Sequence, residues 1–322
     1  MKAWPKYPVI YEINTWVWLG DLSRKYQRPV DLASVPEQEW EAIAAQGFDA
    51  VWFMGVWERS PAGIEISMRN PGLLDDFKRA LPDFSSGDNV GSPYCVRRYV
   101  VDDHLGGGAK GLATARNTLA QRGIRLILDF VPNHVAPDHP WVNNHPEYFV
   151  QGNADDARND PSSFIEAGGK VFACGRDPFF PAWPDVLQLN AFNGGLRGAA
   201  AATVNSIADQ CDGVRCDMAM LMMSDIFQRT WGERAGATPA GEYWPELIGA
   251  VRAAHPGFIF MAEAYWDPEW ELQQQLRDTM WRPDDRLSGE TFERSGNDMR
   301  DAGLYVELGP WECHLFQVRA VV

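Results

Sequence analysis

The sequence predicts an α/β fold on parallel strands, arranged as an open sheet or as a barrel. Three observations predict it. A unit of helix-like stretch, glycine and short apolar strand recurs along the chain. The strands are near-continuous apolar runs, the mark of parallel strands buried on both faces. Three of them end on a carboxylate, Asp129, Asp217 and Glu263, and strand ends are where β/α barrels carry their chemistry.

The elements follow in order. "PVIYEINTW" opens as a strand. "VPEQEWEAIAAQG" has Pro36 near a helix start, Trp40, Ile43 and Ala44 on one face, and Gly47 as stop. "FDAVWFMG" is the next strand. "AKGLATARNTLAQRG" aligns Leu112, Ala115 and Leu119 and stops at Gly123, before the strand "IRLILDFV". "LRGAAAATVNSIADQ" precedes "CDGVRCDM", and "YWPELIGAVRAAHPG" precedes "FIFMAEAY". Alternating units of this kind give parallel sheets. No Gly-rich phosphate loop follows the first strand, which argues against a dinucleotide fold. Residues 136–188 break the rhythm. They are rich in Pro, Asn, Asp and Gly, and a connection that long is functional or a small inserted domain.

Composition narrows the function. With 29 basic against 44 acidic residues the net charge is −15, which argues against nucleic acid or an anionic membrane as partner. The five cysteines are odd in number and form no CxxC pair, so neither a disulfide framework nor a zinc site is expected. The N-terminal stretch has no signal-peptide core, and no apolar run approaches the roughly 18 residues of a membrane helix. A soluble, cytoplasmic protein is the expectation. Fourteen tryptophans suit sugar rings, and they also suit a core.

Two carboxylates facing one cleft suggest glycoside hydrolysis, one as nucleophile and the other as acid and then base. Alternate strand residues share a face, so Arg215 lies on the side of Asp217. A fixed cation favours the ionised carboxylate of a nucleophile. Glu263 stands among Phe258, Phe260, Met261 and Tyr265, and apolar surroundings raise a carboxyl pKa to suit a proton donor.

These stretches resemble the conserved regions of the α-amylase family, glycoside hydrolase family 13. "DFVPNH" (129–134) resembles its first region, "GVRCD" (213–217) its second, and "FMAEAY", closed by Trp266, its third. "GFDAVWFMGVWERSP" (47–61) resembles its second-strand region, and "WPDVLQLN" (183–190) the end of its inserted domain B. The resemblance implies a (β/α)8 TIM-barrel-related fold. Asp217 would be the nucleophile, Glu263 the general acid/base and Arg215 the residue that orients the nucleophile. His134, Tyr99, Asp129 and Trp266 would lie on the substrate side, with Asp129 and Asn133 largely structural. No cofactor is required, although Asn133 helps to bind calcium in many members.

The family's fourth region, a His–Asp pair, has no counterpart, since His314 is the only histidine after Glu263 and no aspartate follows it. "SPYCVRRY" carries Cys95 and Arg98 where members commonly have aspartate. Only 59 residues follow Glu263, whereas three more βα units need about 90. The expected organisation is therefore an incomplete barrel over 1–135 and 189–280, an inserted domain B over 136–188, and a C-terminal β remnant over 281–322. The predicted function is a retaining α-glycosidase acting on an oligosaccharide or α-glucoside. The alternative is a degenerate member that binds carbohydrate or a protein partner with little turnover. Open sheet edges predict a homo-oligomer.

Overall fold

The computed structural model describes residues 4–5 and 8–265. The helix expected over 267–280, the tail strands and Trp266 lie outside the described residues.

The strands are β1 (Ile10–Asn14), β2 (Ala50–Met54), β3 (Trp57–Arg59), β4 (Val96–Val101), β5 (Arg125–Phe130), β6 (His134–Val135), β7 (Phe164–Ala167), β8 (Lys170–Gly175), β9 (Trp183–Gln188), β10 (Gly213–Cys216) and β11 (Ile259–Ala262). The helices are α1 (Thr15–Tyr26), α2 (Glu37–Ala45), α3 (Pro61–Arg69), α4 (Pro71–Ala80), α5 (Gly108–Gln121), α6 (Trp141–Asn144), α7 (Ala154–Asn159), α8 (Gly194–Ala208), α9 (Ser224–Trp231) and α10 (Tyr243–Ala254).

The five strands read from the apolar runs form one parallel sheet in the order β1-β2-β5-β10-β11. Side chains alternate between its faces. Ile13, Phe53, Leu128, Val214 and Phe260 enter the large core beneath the helices. Trp52, Ile127 and Ile259 form a smaller cluster on the other face, where Glu12 is paired with Trp52 and Arg215 with Met261 in register. The fold is therefore α/β, with the sheet and helix layering of a TIM-barrel-related domain.

Local chemistry sets the element ends. β1 stops at Asn14, two residues earlier than the sequence suggests. The Asn14 side chain caps α1 by accepting from the Val17 N–H, which ends the strand and starts the helix in one residue. Gly47 and Gly123 follow α2 and α5 with φ of 78° and 76°, the left-handed backbone that glycine adopts without strain. Asn193 caps α8 through the Leu196 N–H.

Two excursions leave the βα rhythm. The expected insertion is an antiparallel sheet, β6-β9-β8-β7, with its own small core of Val135, Val142, Phe149, Phe172, Leu187, Leu189 and Leu196. Its sheet begins at His134, which pairs with Gln188. The second excursion was not foreseen. β3 and β4 form a bulged antiparallel pair between β2 and α5, and α3 and α4 stand between them. No helix among the described residues is long and apolar enough to cross a membrane.

Candidate active site

The C-terminal ends of β5, β10 and β11 carry the three carboxylates, and the structure treats them differently. Asp129 is wholly buried. Its Oδ1 accepts from the Trp52 indole at 3.0 Å and its Oδ2 from the Gly55 N–H at 2.7 Å. Its carbonyl accepts from the Trp57 indole at 2.7 Å. Burial pushes its carboxyl up to about 6, with the Gly55 bond, Arg215 and the Trp52 bond pulling down. Asp129 thus fastens the turn after β2. A place for it on the substrate side is corrected, because both its oxygens are spent on the fold.

Arg215 is buried between the rings of Trp52 and Tyr94, its guanidinium carbon 5.0 and 5.1 Å from their centroids. One nitrogen donates to Asp217 Oδ1 at 2.7 Å. The other lies 2.6 Å from Glu263 Oε1. One planar fork therefore spans both carboxylates, the geometry that favours Arg over Lys. Burial works against its charge, but Asp217, Tyr94 and Glu263 together hold its pKa above the ordinary value.

Asp217 is 4% exposed. The expectation that Arg215 keeps it readily ionised needs correcting. Burial pushes its carboxyl up to about 7, and Arg215 only partly offsets this while the Glu263 charge adds to it. The next residue, Met218, has φ 45° and ψ 45°, a conformation costly for a side chain with a Cβ. That turn aims the Met218 N–H at Glu263 Oε2, 2.8 Å away. Glu263 also accepts from the Tyr265 hydroxyl at 2.7 Å. The apolar setting expected for Glu263 is thus replaced by three donors: Arg215, Tyr265 and the Met218 amide.

His134 is 5% exposed and lines the same cleft, its ring 5.2 Å from that of Trp183. Burial lowers its pKa to about 4, so the imidazole is neutral near pH 7. Asn133 Nδ2 lies 3.3 Å from His134 Nδ1, and Asn133 Oδ1 accepts from Gln188 Nε2 at 2.8 Å. The Asn133 amide is therefore committed to the joint between the sheet and the insertion. Its Oδ1, the atom the expected calcium ion would use, already accepts the Gln188 bond. Among the described residues no group of three or more His, Cys, Asp or Glu is gathered to hold a metal.

The expected Tyr99 is also corrected. Its hydroxyl accepts from the Val131 N–H and donates to the Val131 carbonyl, at 2.9 and 3.2 Å, and its ring packs edge-on against Trp57. Tyr94, in the same quoted stretch, lines the cleft instead. The alternation of β4 could have shown this, since it turns Tyr99 to the core side with Val101. Of the two departures noted there, the Cys95 thiol donates to the Asp185 carbonyl at 3.1 Å, and Arg98 pairs with Glu58. Glu12 was not singled out either. Desolvation raises its pKa, Arg215 lowers it and Glu263 raises it, so it belongs to the same electrostatic group.

Asp217, Glu263, His134, Tyr94 and Trp183 line a cleft of about 670 Å³. Leu73, Phe77, Leu81 and Phe84, from α4 and the segment that follows it, line the same cleft.

No protein-family model matches the sequence. The alpha-1,4-glucan:maltose-1-phosphate maltosyltransferase 2 of Streptomyces coelicolor is 26% identical over 241 residues, covering 70% of this chain and 28% of the relative. The chain thus spans just over a quarter of that relative's length. Among solved structures, a family GH13_31 enzyme superposes with TM-score 0.55 at 16% identity, over 84% of this chain and 50% of the other. The alpha-amylase from H.orenii gives 0.54 at 17%, over 84% and 50%. Likenesses at that identity speak to fold, and they agree with the parallel sheet and its inserted antiparallel sheet. Fold, order of motifs and curated relatives all agree with the resemblance to the α-amylase family, glycoside hydrolase family 13.

Proposed function

We propose that the chain is a retaining α-glycosidase acting on α-glucan or α-glucoside substrates by double displacement. The observation that supports it most is the single guanidinium of Arg215 spanning two carboxylates on adjacent strand ends at the floor of one cleft. Asp217, ionised, attacks the anomeric carbon. Glu263, protonated, gives its proton to the departing oxygen as the glycosidic C–O bond breaks. Water then attacks the glycosyl–Asp217 ester, losing its proton to Glu263. Arg215 orients Asp217. His134, neutral, faces a sugar hydroxyl. Trp183 and Tyr94 offer aromatic faces to the ring. Transfer to a second sugar is the other fate of the same ester, and the curated relative is named a maltosyltransferase.

A binding-only reading has one observation in its favour. Glu263 already accepts from Arg215, Tyr265 and Met218, so substrate entry has to loosen at least one of these bonds before Glu263 can protonate a leaving group. Assay of a 4-nitrophenyl α-glucoside, with the Asp217→Asn variant beside the parent, separates the readings. Turnover by the parent with retained anomeric configuration, lost in the variant, supports the glycosidase. Tight sugar binding by both without turnover supports the binding module. As the native state we propose a two-fold dimer using the outer strands β1 and β11 of the sheet; a stable 36.1 kDa particle in light scattering excludes it.

A further inference from the structure

Beside the carboxylates the cleft has a lining of a different kind. α4 has no buried residue, yet Leu73, Leu74 and Phe77 share one face. Asn70 caps the helix through the Gly72 and Leu73 amides, and Pro71 sets its first turn. Leu73 and Phe77 line the cleft, joined by Leu81, Phe84 and the rim residue Val90. The rings of Phe77 and Phe84 lie 5.3 Å apart. All but Val90, which is 38% exposed, are half-buried. A cluster of apolar side chains lining the same cleft as a pair of carboxylates marks a ligand surface rather than ordinary exposed residues.

Three chemistries could occupy it. A glycosyl phosphate, as in the name of the curated relative, brings a dianion. Among the described residues lining the cleft there is no Lys or Arg, while Asp88, Asp185, Asp217 and Glu263 all line it, so the local field opposes a phosphate. A second sugar brings hydroxyls that each need a partner once out of water. Leu73, Phe77, Leu81, Phe84 and Val90 offer none, and the neighbouring polar lining residues Ser67, Asp88, Asn89 and Ser92 are already bonded to one another or to nearby chain; a sugar stacks on flat rings but gains little from leucine or valine. A hydrocarbon group meets neither objection.

We infer that the half of the cleft facing α4 is a leaving-group site for an uncharged, apolar aglycone, an aryl or alkyl group carried on an α-glucoside. The inference rests on the reading of Asp217 and Glu263 as the catalytic pair. The aglycone departs as the alcohol or phenol, its oxygen taking the proton from Glu263, and water completes the hydrolysis to glucose.

Methyl and hexyl α-glucosides share the leaving-group chemistry and differ only in apolar length. The expected result is a kcat/KM about 100-fold higher for the hexyl compound, with maltose poorer than hexyl and α-glucose 1-phosphate inert. The variants Phe77→Ser and Phe84→Ser should each cut the hexyl-to-methyl ratio about tenfold. Circular dichroism and Tm check that they fold, which is expected since neither residue is in the core. Equal rates for methyl and hexyl, or a preference for maltose or the phosphate, overturn the inference while leaving the glycosidase reading intact. If no glucoside is turned over, that reading fails. Calorimetry with Asp217→Asn then decides the inference alone: hexyl binding about 100-fold tighter than methyl upholds it, and equal binding overturns it.

Discussion

The ends of β5 and β10 make an instructive pair. Each is a short apolar strand in the middle of the parallel sheet, each has an aspartate within one residue of its C-terminal end, and the two strands are neighbours. Asp129 meets two uncharged donors, an indole and a backbone amide, and is sealed from solvent. Asp217 meets a guanidinium and opens onto the cleft. The same signal in the sequence therefore serves architecture in one place and chemistry in the other. The difference lies in the partner, not in the carboxylate or its strand.

Substitution to asparagine should separate the two. Asp217→Asn keeps an oxygen facing Arg215 and should fold with little change in Tm at pH 5, while turnover of a nitrophenyl α-glucoside falls by at least about 10⁴-fold. Asp129→Asn turns an NH₂ group toward one of two donors. It should cost about 1–3 kcal/mol in urea unfolding, with the surviving folded protein still active. If Asp129→Asn abolishes turnover without loss of stability, the contrast collapses.

Arg215→Ala tests the partner itself. It leaves two carboxylates facing each other without their cation, and breaking a buried pair in this way typically costs about 3–5 kcal/mol. A variant that melts and reacts like the parent shows that Arg215 neither orients nor neutralises.

Titration sharpens the comparison further. Asp217 must be ionised to attack, so the acid limb of kcat/KM should lie above the ordinary aspartate range, because burial raises this carboxyl, and fall tenfold per unit below it. The stability effect has the opposite sense from an ordinary salt-bridged aspartate. With folded values raised to about 7 and about 6, both groups contribute stability that is fully present below the ordinary value of 3.8 and is lost as pH rises through 6 to 7. The Tm of Asp217→Asn relative to the parent should therefore rise between pH 5 and pH 8. A flat difference means that burial does not dominate at Asp217.

The smallest effect concerns the two tyrosines. Tyr99→Phe removes two hydrogen bonds to Val131 and should cost about 1 kcal/mol, with the kinetic constants unmoved. Tyr94→Phe should leave stability nearly unchanged and raise KM. Exchange of these outcomes reverses their assignment.

Much of this arrangement is written in local pattern. The five strands of the sheet are recognisable because parallel strands buried on both faces carry unbroken apolar runs, as in "RLILDF" and "GVRC". The catalytic candidates stand out as charges ending such runs. The β3–β4 excursion was hidden because its strands are short and bulged, and because α4 turns its apolar face to a cleft that only the tertiary fold creates. Glu12 was hidden for a related reason. In "IYEIN" it reads as a plain solvent-facing alternation, and only the closeness of Arg215 and Glu263 gives it a charge partner. The partners of Glu263 likewise come from a backbone turn at Met218 that composition does not announce.

The joint beneath the inserted sheet carries one more consequence. His134 pairs with Gln188, and the Gln188 amide donates to the Asn133 carbonyl, the Asn133 side chain and the Leu189 carbonyl at 2.8–3.0 Å. The chain thus leaves the parallel sheet and returns to it at neighbouring residues bonded to one another, like a loop of thread tied at its base. Lengthening a loop closed at its base is cheap, about 0.6 kcal/mol for each doubling. The insertion is a part that inheritance can enlarge, trim or exchange, redrawing the cleft's outer rim while the strands that hold Asp129 and Asp217 keep their places.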